Sequence, residues 1–381
     1  MNRWDNHFQI KIAEQTKKDL LRKLRLTDSN FIDFTSNDYL GLARSETLFD
    51  QIHERVQIIG KRNGSTGSRL LSGNSEYAEF VEERLAKVFN TESAVLFNSG
   101  YTANLAVLSS IPQKNDTIIY DELAHASIKD GARLSLAKRY SFKHNDLHDL
   151  ETKIKKSTGN IFIVVESVYS MDGDECPLVE LVSLAERHDA LLIVDEAHST
   201  GVVGENGSGL ACELNLEKKI AVRIHTFGKA MGVHGACVAG SLVLREYLIN
   251  FARPYIYTTA LPLHSLASIE CSFEYLRNHI HLQKELKENI IYYLNNMQDV
   301  SNRTHSSSAI QTVIIPGNKE VKQIARTLQE NHFDIRPIVS PTVRKGLERL
   351  RICIHTYNTN EEIDMLTKHL KSFKISTPDM N

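Results

Sequence analysis

Lys229 lies in Thr226-Phe227-Gly228-Lys229, after a short apolar run at 221–226 and before Ala230, Gly232, Gly235 and Ala236. Lysines are rarely enclosed by glycine and apolar residues without a purpose. A desolvated lysine amine loses basicity and becomes a nucleophile able to form a Schiff base with a carbonyl. The same fragment, read alone, also suits a solvated loop lysine. Val194-Asp195-Glu196-Ala197-His198 follows an apolar run. It places an acid and a histidine at the carboxyl end of a strand, where α/β proteins hold ligands. His125, in Asp121-Glu122-Leu123-Ala124-His125-Ala126-Ser127, follows another strand and reaches the same edge. A lone histidine there is also a common structural residue. Ser99-Gly100-Tyr101-Thr102 stands between a strand and a helix. Free N–H groups and the helix dipole make such a turn an anion site, a property many strand-to-helix turns share.

Together these parts say more than any one of them. A glycine-led helix start suits a phosphate, and an aspartate suits a protonated pyridine nitrogen. A histidine beside the ring and a Schiff-base lysine complete the set that pyridoxal 5′-phosphate requires of a protein. Other motifs carry less. The stretch Gly64-Ser65-Thr66-Gly67-Ser68-Arg69-Leu70-Leu71-Ser72-Gly73 lacks the G-x-G-x-x-G spacing and reads as a tight loop. His144 and His148 share an i, i+4 spacing without an H-E-x-x-H pattern, so they read as surface residues and no metal site is expected. Asp195-Glu196-Ala197-His198 spells a helicase box, but no G-x-x-x-x-G-K-[ST] loop accompanies it: Gly60-Lys61 precedes Arg62, and Gly228-Lys229 precedes Ala230.

The elements that must position these residues follow from hydrophobic patterning. Runs at 94–97, 117–120, 161–165, 191–194 and 221–226 read as strands, with helices at 76–89, 102–109 and 178–188 between them. Continuous apolar runs suit strands buried on both faces of a mostly parallel sheet. The alternation indicates an α/β domain. Beyond a long helical segment starting near Leu263 the order becomes strand 310–315, helix 320–330, strand 349–354 and helix 360–373, an α+β module. A charged amphipathic helix is expected over 3–26, then a strand over 31–35. This gives a large domain over 44–265 and a small α+β domain built from 1–43 and 266–381. The chain has 381 residues, 24% of them charged, with a formal net charge of −2. That charge gives no electrostatic case for a nucleic-acid partner. No run approaches 18 apolar residues, and the first residues lack an apolar signal core, so neither a membrane span nor export is expected. Five dispersed cysteines without a C-x-x-C pair fit reduced thiols in the cytoplasm.

At this point the chain resembles the α-oxoamine synthases, a family of fold-type-I pyridoxal-phosphate enzymes. The resemblance covers about residues 20 to 370. It rests on SNDYLGLA at 36–43, GSRLLSG at 67–73, NSGYTANLAVL at 98–108, ESVYSMDGD at 166–174, VDEAHSTGVVGENGSG at 194–209, TFGKAMGVHGACVAGS at 226–241 and ARPYIYTTALP at 252–262. It implies a large domain with a mostly parallel seven-stranded sheet and a smaller α+β domain. It implies that Lys229 holds the cofactor and moves the substrate α-proton, that Asp195 pairs with the pyridine nitrogen, and that His198 bonds the phenolic oxygen. His125 would stack on the ring, Ser170 would contact it, and Gly100, Tyr101 and Thr226 would surround the phosphate. Thr258 or Thr259 would reach a phosphate across a homodimer interface. Arg351 and Asn37 would hold the amino-acid carboxylate, and Arg22 and Thr342 would contact substrate. The closest branch condenses L-alanine with pimeloyl-CoA or a pimeloyl-acyl carrier protein. Sibling reactions, glycine with acetyl-CoA or serine with a long acyl-CoA, share the same cofactor residues. A non-catalytic partner subunit would lack the lysine. The chain departs from the family pattern at Ala78, where histidine is common, at Val339 and Ser340, which replace arginine and proline, and at Leu263, which replaces a proline.

Overall fold

The computed structural model describes residues 2–24, 26 and 30–373. Among these, twelve strands follow in chain order: β1 (Ile32–Asp33), β2 (Ser93–Phe97), β3 (Thr117–Asp121), β4 (Lys138–Phe142), β5 (Ile161–Glu166), β6 (Leu191–Asp195), β7 (Val222–Thr226), β8 (Ala236–Gly240), β9 (Ile310–Ile314), β10 (Phe333–Asp334), β11 (Arg336–Ile338) and β12 (Arg349–Cys353). Seven form one sheet in the order β2-β8-β7-β6-β5-β3-β4. The run from β4 to β7 is parallel, and β8 is antiparallel to both neighbours, β7 and β2. The expected seven-stranded, mostly parallel sheet is present.

Strand periodicity explains the two apolar layers. Along β5, Phe162 and Val164 join a cluster with Ala103, Val107, Ile128 and Ala132 on one face. Ile163 and Val165 join a cluster with Leu150, Leu181, Val182 and Ala185 on the other. Alternate side chains of a strand point to opposite faces, so an unbroken apolar run marks a strand covered twice. The covering helices are Gly100–Ser110 and Ala126–Leu134 on the first face, and Leu147–Ile154 and Leu178–Arg187 on the second.

A three-stranded antiparallel sheet, β11-β12-β9, forms the C-terminal part. Its apolar side joins Phe34, Tyr39 and Leu40 in a third cluster. The parallel pair β1–β10 matches Ile32 with Phe333 and Asp33 with Asp334. The Cys353 N–H donates to the Phe34 carbonyl.

Several boundaries differ from expectation. The first helix spans only Arg3–Lys17 and buries no residue. It ends where Asp19 takes a φ of 55°. The strand expected over 31–35 is the two-residue β1. His144 precedes the helix Leu147–Ile154 rather than lying in it, because Asn145 has a φ of 53° and Asp146 caps the helix by accepting from the Asp149 N–H. No helix among the described residues is long and apolar enough to cross a membrane.

Candidate active site

Because β3, β5, β6 and β7 are parallel, their carboxyl ends meet along one edge. Register places Glu166, the last residue of β5, beside Asp195, the last of β6. Asp195 is buried, with 5% exposure. Its Oδ2 accepts from Asn104 Nδ2 at 2.7 Å and its Oδ1 from the Ala197 N–H at 3.0 Å. A carboxylate can accept about four hydrogen bonds, so capacity remains for another donor. Asn104 in turn donates to Ser127 Oγ at 3.1 Å, while its own Oδ1 is buried without a partner. Glu166 Oε1 accepts from the His125 N–H at 2.6 Å. Burial, with the Asp195 charge beside it, pushes the Glu166 carboxyl up to about 8.

Lys229 lies in the connection between β7 and β8. This turn is pinned by the Phe227 N–H donating to the Gly235 carbonyl and the Val233 N–H to the Phe227 carbonyl. Lys229 Nζ lies 2.7 Å from His198 Nε2. Burial pulls its ammonium down to about 8, against the opposing pull of Asp195 and Glu166. Burial and the nearby Lys229 and Arg351 charges hold His198 well below the usual histidine range, as a neutral imidazole. His125 caps the helix Ala126–Leu134, its Nδ1 lying 2.8 Å from Ser127 Oγ.

The helix Gly100–Ser110 is capped by Ser99, which accepts from the Thr102 N–H. The first-turn N–H groups of Gly100 and Tyr101 have no intrahelical acceptor. A Cβ on Gly100 would fall 2.1 Å from Thr226 Oγ1, so only glycine lets the helix start approach that hydroxyl.

The C-terminal module closes the site. Arg351, on β12, donates through Nε to the Ser170 carbonyl at 2.7 Å and through Nη2 to Asn37 Oδ1 at 2.9 Å. The loop carrying Ser170 is clamped on both sides. Arg349 pairs with Asp172, and Ser306 Oγ donates to the Gly173 carbonyl at 2.9 Å. His144 bridges Asp121, 3.0 Å from its Nδ1, and Asp174, 2.6 Å from its Nε2. His144 is therefore not the surface residue its spacing suggests, whereas His148 is exposed.

Lys229, His198, Asp195, His125, Gly100, Thr226, Ser170, Arg351 and Asn37 thus gather around the strand ends and the facing module. Thr258 and Thr259 instead line a small cavity with Arg69, Gly73 and Asn98. Asn98 Nδ2 donates to the Thr259 carbonyl at 3.0 Å. Arg22 is exposed in the coil after the first helix, and Thr342 is exposed in the turn before β12. The Thr342 N–H donates to the Val339 carbonyl, within its own turn. Sequence reasoning missed Tyr39, Asn104 and Glu166. Each lies inside a motif quoted for the resemblance, but its partners are remote in sequence.

Comparisons with known proteins agree with this geometry. The model of the family "Aminotransferase class I and II" matches residues 29–370. An 8-amino-7-oxononanoate synthase of Emericella nidulans is 40% identical over 96% of this chain and 95% of its own. The crystal structure of 8-amino-7-oxononanoate synthase from Francisella tularensis is 32% identical, with a TM-score of 0.78 over 90% of this chain and 99% of that one. A serine palmitoyltransferase from S. paucimobilis with a bound PLP–myriocin aldimine is 26% identical, with a TM-score of 0.88 over 98% of both chains. With a lysine, a buried aspartate and a glycine-led helix start converging on one strand edge, and with matches that run nearly end to end, the chain belongs to the class I and II aminotransferase family, in its α-oxoamine synthase branch.

Proposed function

We propose that this protein is a pyridoxal-phosphate-dependent acyltransferase of biotin biosynthesis. It condenses L-alanine with pimeloyl-CoA or a pimeloyl-acyl carrier protein to give 8-amino-7-oxononanoate, CO2 and the free thiol. The observation that carries this is the near full-length identity of up to 40% to 8-amino-7-oxononanoate synthases, with Lys229 placed against His198 beside Asp195. The better backbone superposition on a serine palmitoyltransferase comes with lower identity, 26%. Backbone shape is shared across a fold, whereas substrate choice lives in side chains.

The residues present fit the cofactor. Asp195 keeps acceptor capacity for a pyridinium N–H, and the Gly100 turn offers two N–H groups beside Thr226 for a phosphate. His198 would bond the phenolic oxygen, Ser170 would contact the ring, and His125 would cover a ring face. When bound, pyridoxal phosphate supplies an aldehyde for the Lys229 amine and an electron-poor ring that spreads charge from the substrate α-carbon. Lys229, with its pKa brought near neutrality, is suited to take and return the α-proton. The Arg351 guanidinium, held beside Asn37, would orient the alanine carboxylate. Asp195, oriented by its hydrogen bond from Asn104, would face the ring nitrogen with its remaining acceptor capacity.

The same proposal includes a homodimer, with Thr258 or Thr259 serving the neighbouring subunit, and a cytoplasmic location. It also includes the division into domains 44–265 and 1–43 with 266–381, supported by the β1–β10 pairing. The deciding experiment compares free-thiol release for L-alanine with pimeloyl-CoA, glycine with acetyl-CoA and L-serine with palmitoyl-CoA, with the product mass measured. Alanine with the pimeloyl thioester should be fastest. A faster rate with either other pair would overturn the substrate assignment.

A further inference from the structure

Four side chains link β12 to Lys229 by hydrogen bonds. Arg351 Nη2 lies 2.9 Å from Asn37 Oδ1, and Tyr39 Oη lies 3.0 Å from the same oxygen. Tyr39 Oη also lies 2.8 Å from His198 Nδ1, and His198 Nε2 lies 2.7 Å from Lys229 Nζ. The direction of each bond can be deduced. A guanidinium only donates, so the Asn37 atom facing Arg351 is the amide oxygen. That oxygen also faces Tyr39, and two oxygens at this distance repel unless a proton lies between them. The Tyr39 hydroxyl proton therefore points to Asn37. Tyr39 is 1% exposed, and burial pushes its phenol far above the usual range, so that proton stays in place. A phenol has a single proton, so its oxygen can only accept from His198. His198 is neutral and carries one N–H.

We propose that Tyr39 is a positioning residue: it carries the orientation of the Arg351–Asn37 pair to His198 and fixes it as the Nδ1–H tautomer, with the Nε2 lone pair turned to the Lys229 amine. The histidine beside the lysine is thus set by a strand of the other module, 153 residues further along the chain. The inference deepens the proposed function by adding a residue to its site, but the tautomer itself requires no substrate or cofactor.

The test is nitrogen-15 NMR of the full chain labelled at histidine, without added cofactor, at pH 9. The His198 signals are assigned by their absence from His198→Gln. Wild-type protein should show His198 as Nδ1–H. In Tyr39→Phe the Nδ1–H loses its acceptor, and more than half of the population should shift to Nε2–H. Asn37→Ala frees the Tyr39 proton for His198 and should give the same shift. It carries the test if Tyr39→Phe does not fold. Asn37→Asp keeps an acceptor for both donors and should retain the wild-type tautomer. A wild-type Nε2–H signal overturns the proposal, as does an unchanged tautomer in both Tyr39→Phe and Asn37→Ala. Absence of a borohydride-reducible adduct between wild-type protein and pyridoxal phosphate would overturn the functional reading instead, and would leave the tautomer result standing.

Discussion

Two clusters at the same edge of the sheet turn the burial of ionisable groups to opposite ends. At the end of β3, His144 lies between Asp121 and Asp174. Burial opposes its charge, but the two carboxylates outweigh it and push the imidazole up to about 9. It is a fixed cation with both N–H groups satisfied. At the end of β5 Glu166 is pushed up to about 8, and after β7 Lys229 is pulled down to about 8. Here buried groups of both signs are held near the point of proton exchange. Groups tuned towards working pH are those that can move protons. What separates the two clusters is how completely each charge is paired.

Breaking the second cluster should have the largest effects. Lys229→Ala should abolish the borohydride-bleachable visible band and lower turnover by about 10³-fold or more. Retention of the band would show that another amine holds the cofactor. Asp195→Asn keeps a similar shape but loses the negative charge. Turnover should fall by about 10²–10³-fold while pyridoxal phosphate still binds through the Gly100 turn. Unchanged turnover would remove Asp195 from its assigned role.

Breaking the first cluster should cost stability. The His144 pKa is raised above its ordinary value, so its contribution is complete below about pH 6.5 and is lost as pH rises through about 9. The shift corresponds to about 3 kcal/mol. His144→Gln should therefore lower the denaturation midpoint at pH 6, with the gap to wild type narrowing by pH 10. A gap independent of pH would mean that His144 contributes packing rather than charge. The smallest effect concerns kinetics. Adduct formation between cofactor-free protein and pyridoxal phosphate should rise with a midpoint near pH 8, the value to which burial brings Lys229, rather than near 10.5. A midpoint at the higher value would mean that the amine is open to solvent.

The sequence revealed those features whose causes are local. Strands β5 and β6 show as unbroken apolar runs because both faces are covered. The helix after Ser99 shows because its cap and glycine are adjacent. Strand β4, Lys-Arg-Tyr-Ser-Phe, escaped notice because it is an edge strand with four exposed residues and so needs no apolar pattern. His144 was misread because its spacing to His148 assumes a helix that Asn145 interrupts. Lys229, Asp195, His198 and Arg351 were legible as types in motifs. Tyr39 was not, since its meaning lies in a contact with His198, 159 positions away. Glu166 was missed for a similar reason: register sets it beside Asp195, and nothing local records that.

The β1–β10 pair has a consequence in time. Ile32 cannot meet Phe333 until the ribosome has added some 300 further residues. At about 5–20 residues per second, that delay is roughly 15–60 s. Asn37 and Tyr39, which follow β1 directly, stay away from Arg351 throughout that interval. A nascent chain can therefore build its sheet and present Lys229 before Arg351 exists, and the hydrogen-bonded run from Arg351 to Lys229 is completed only as synthesis ends.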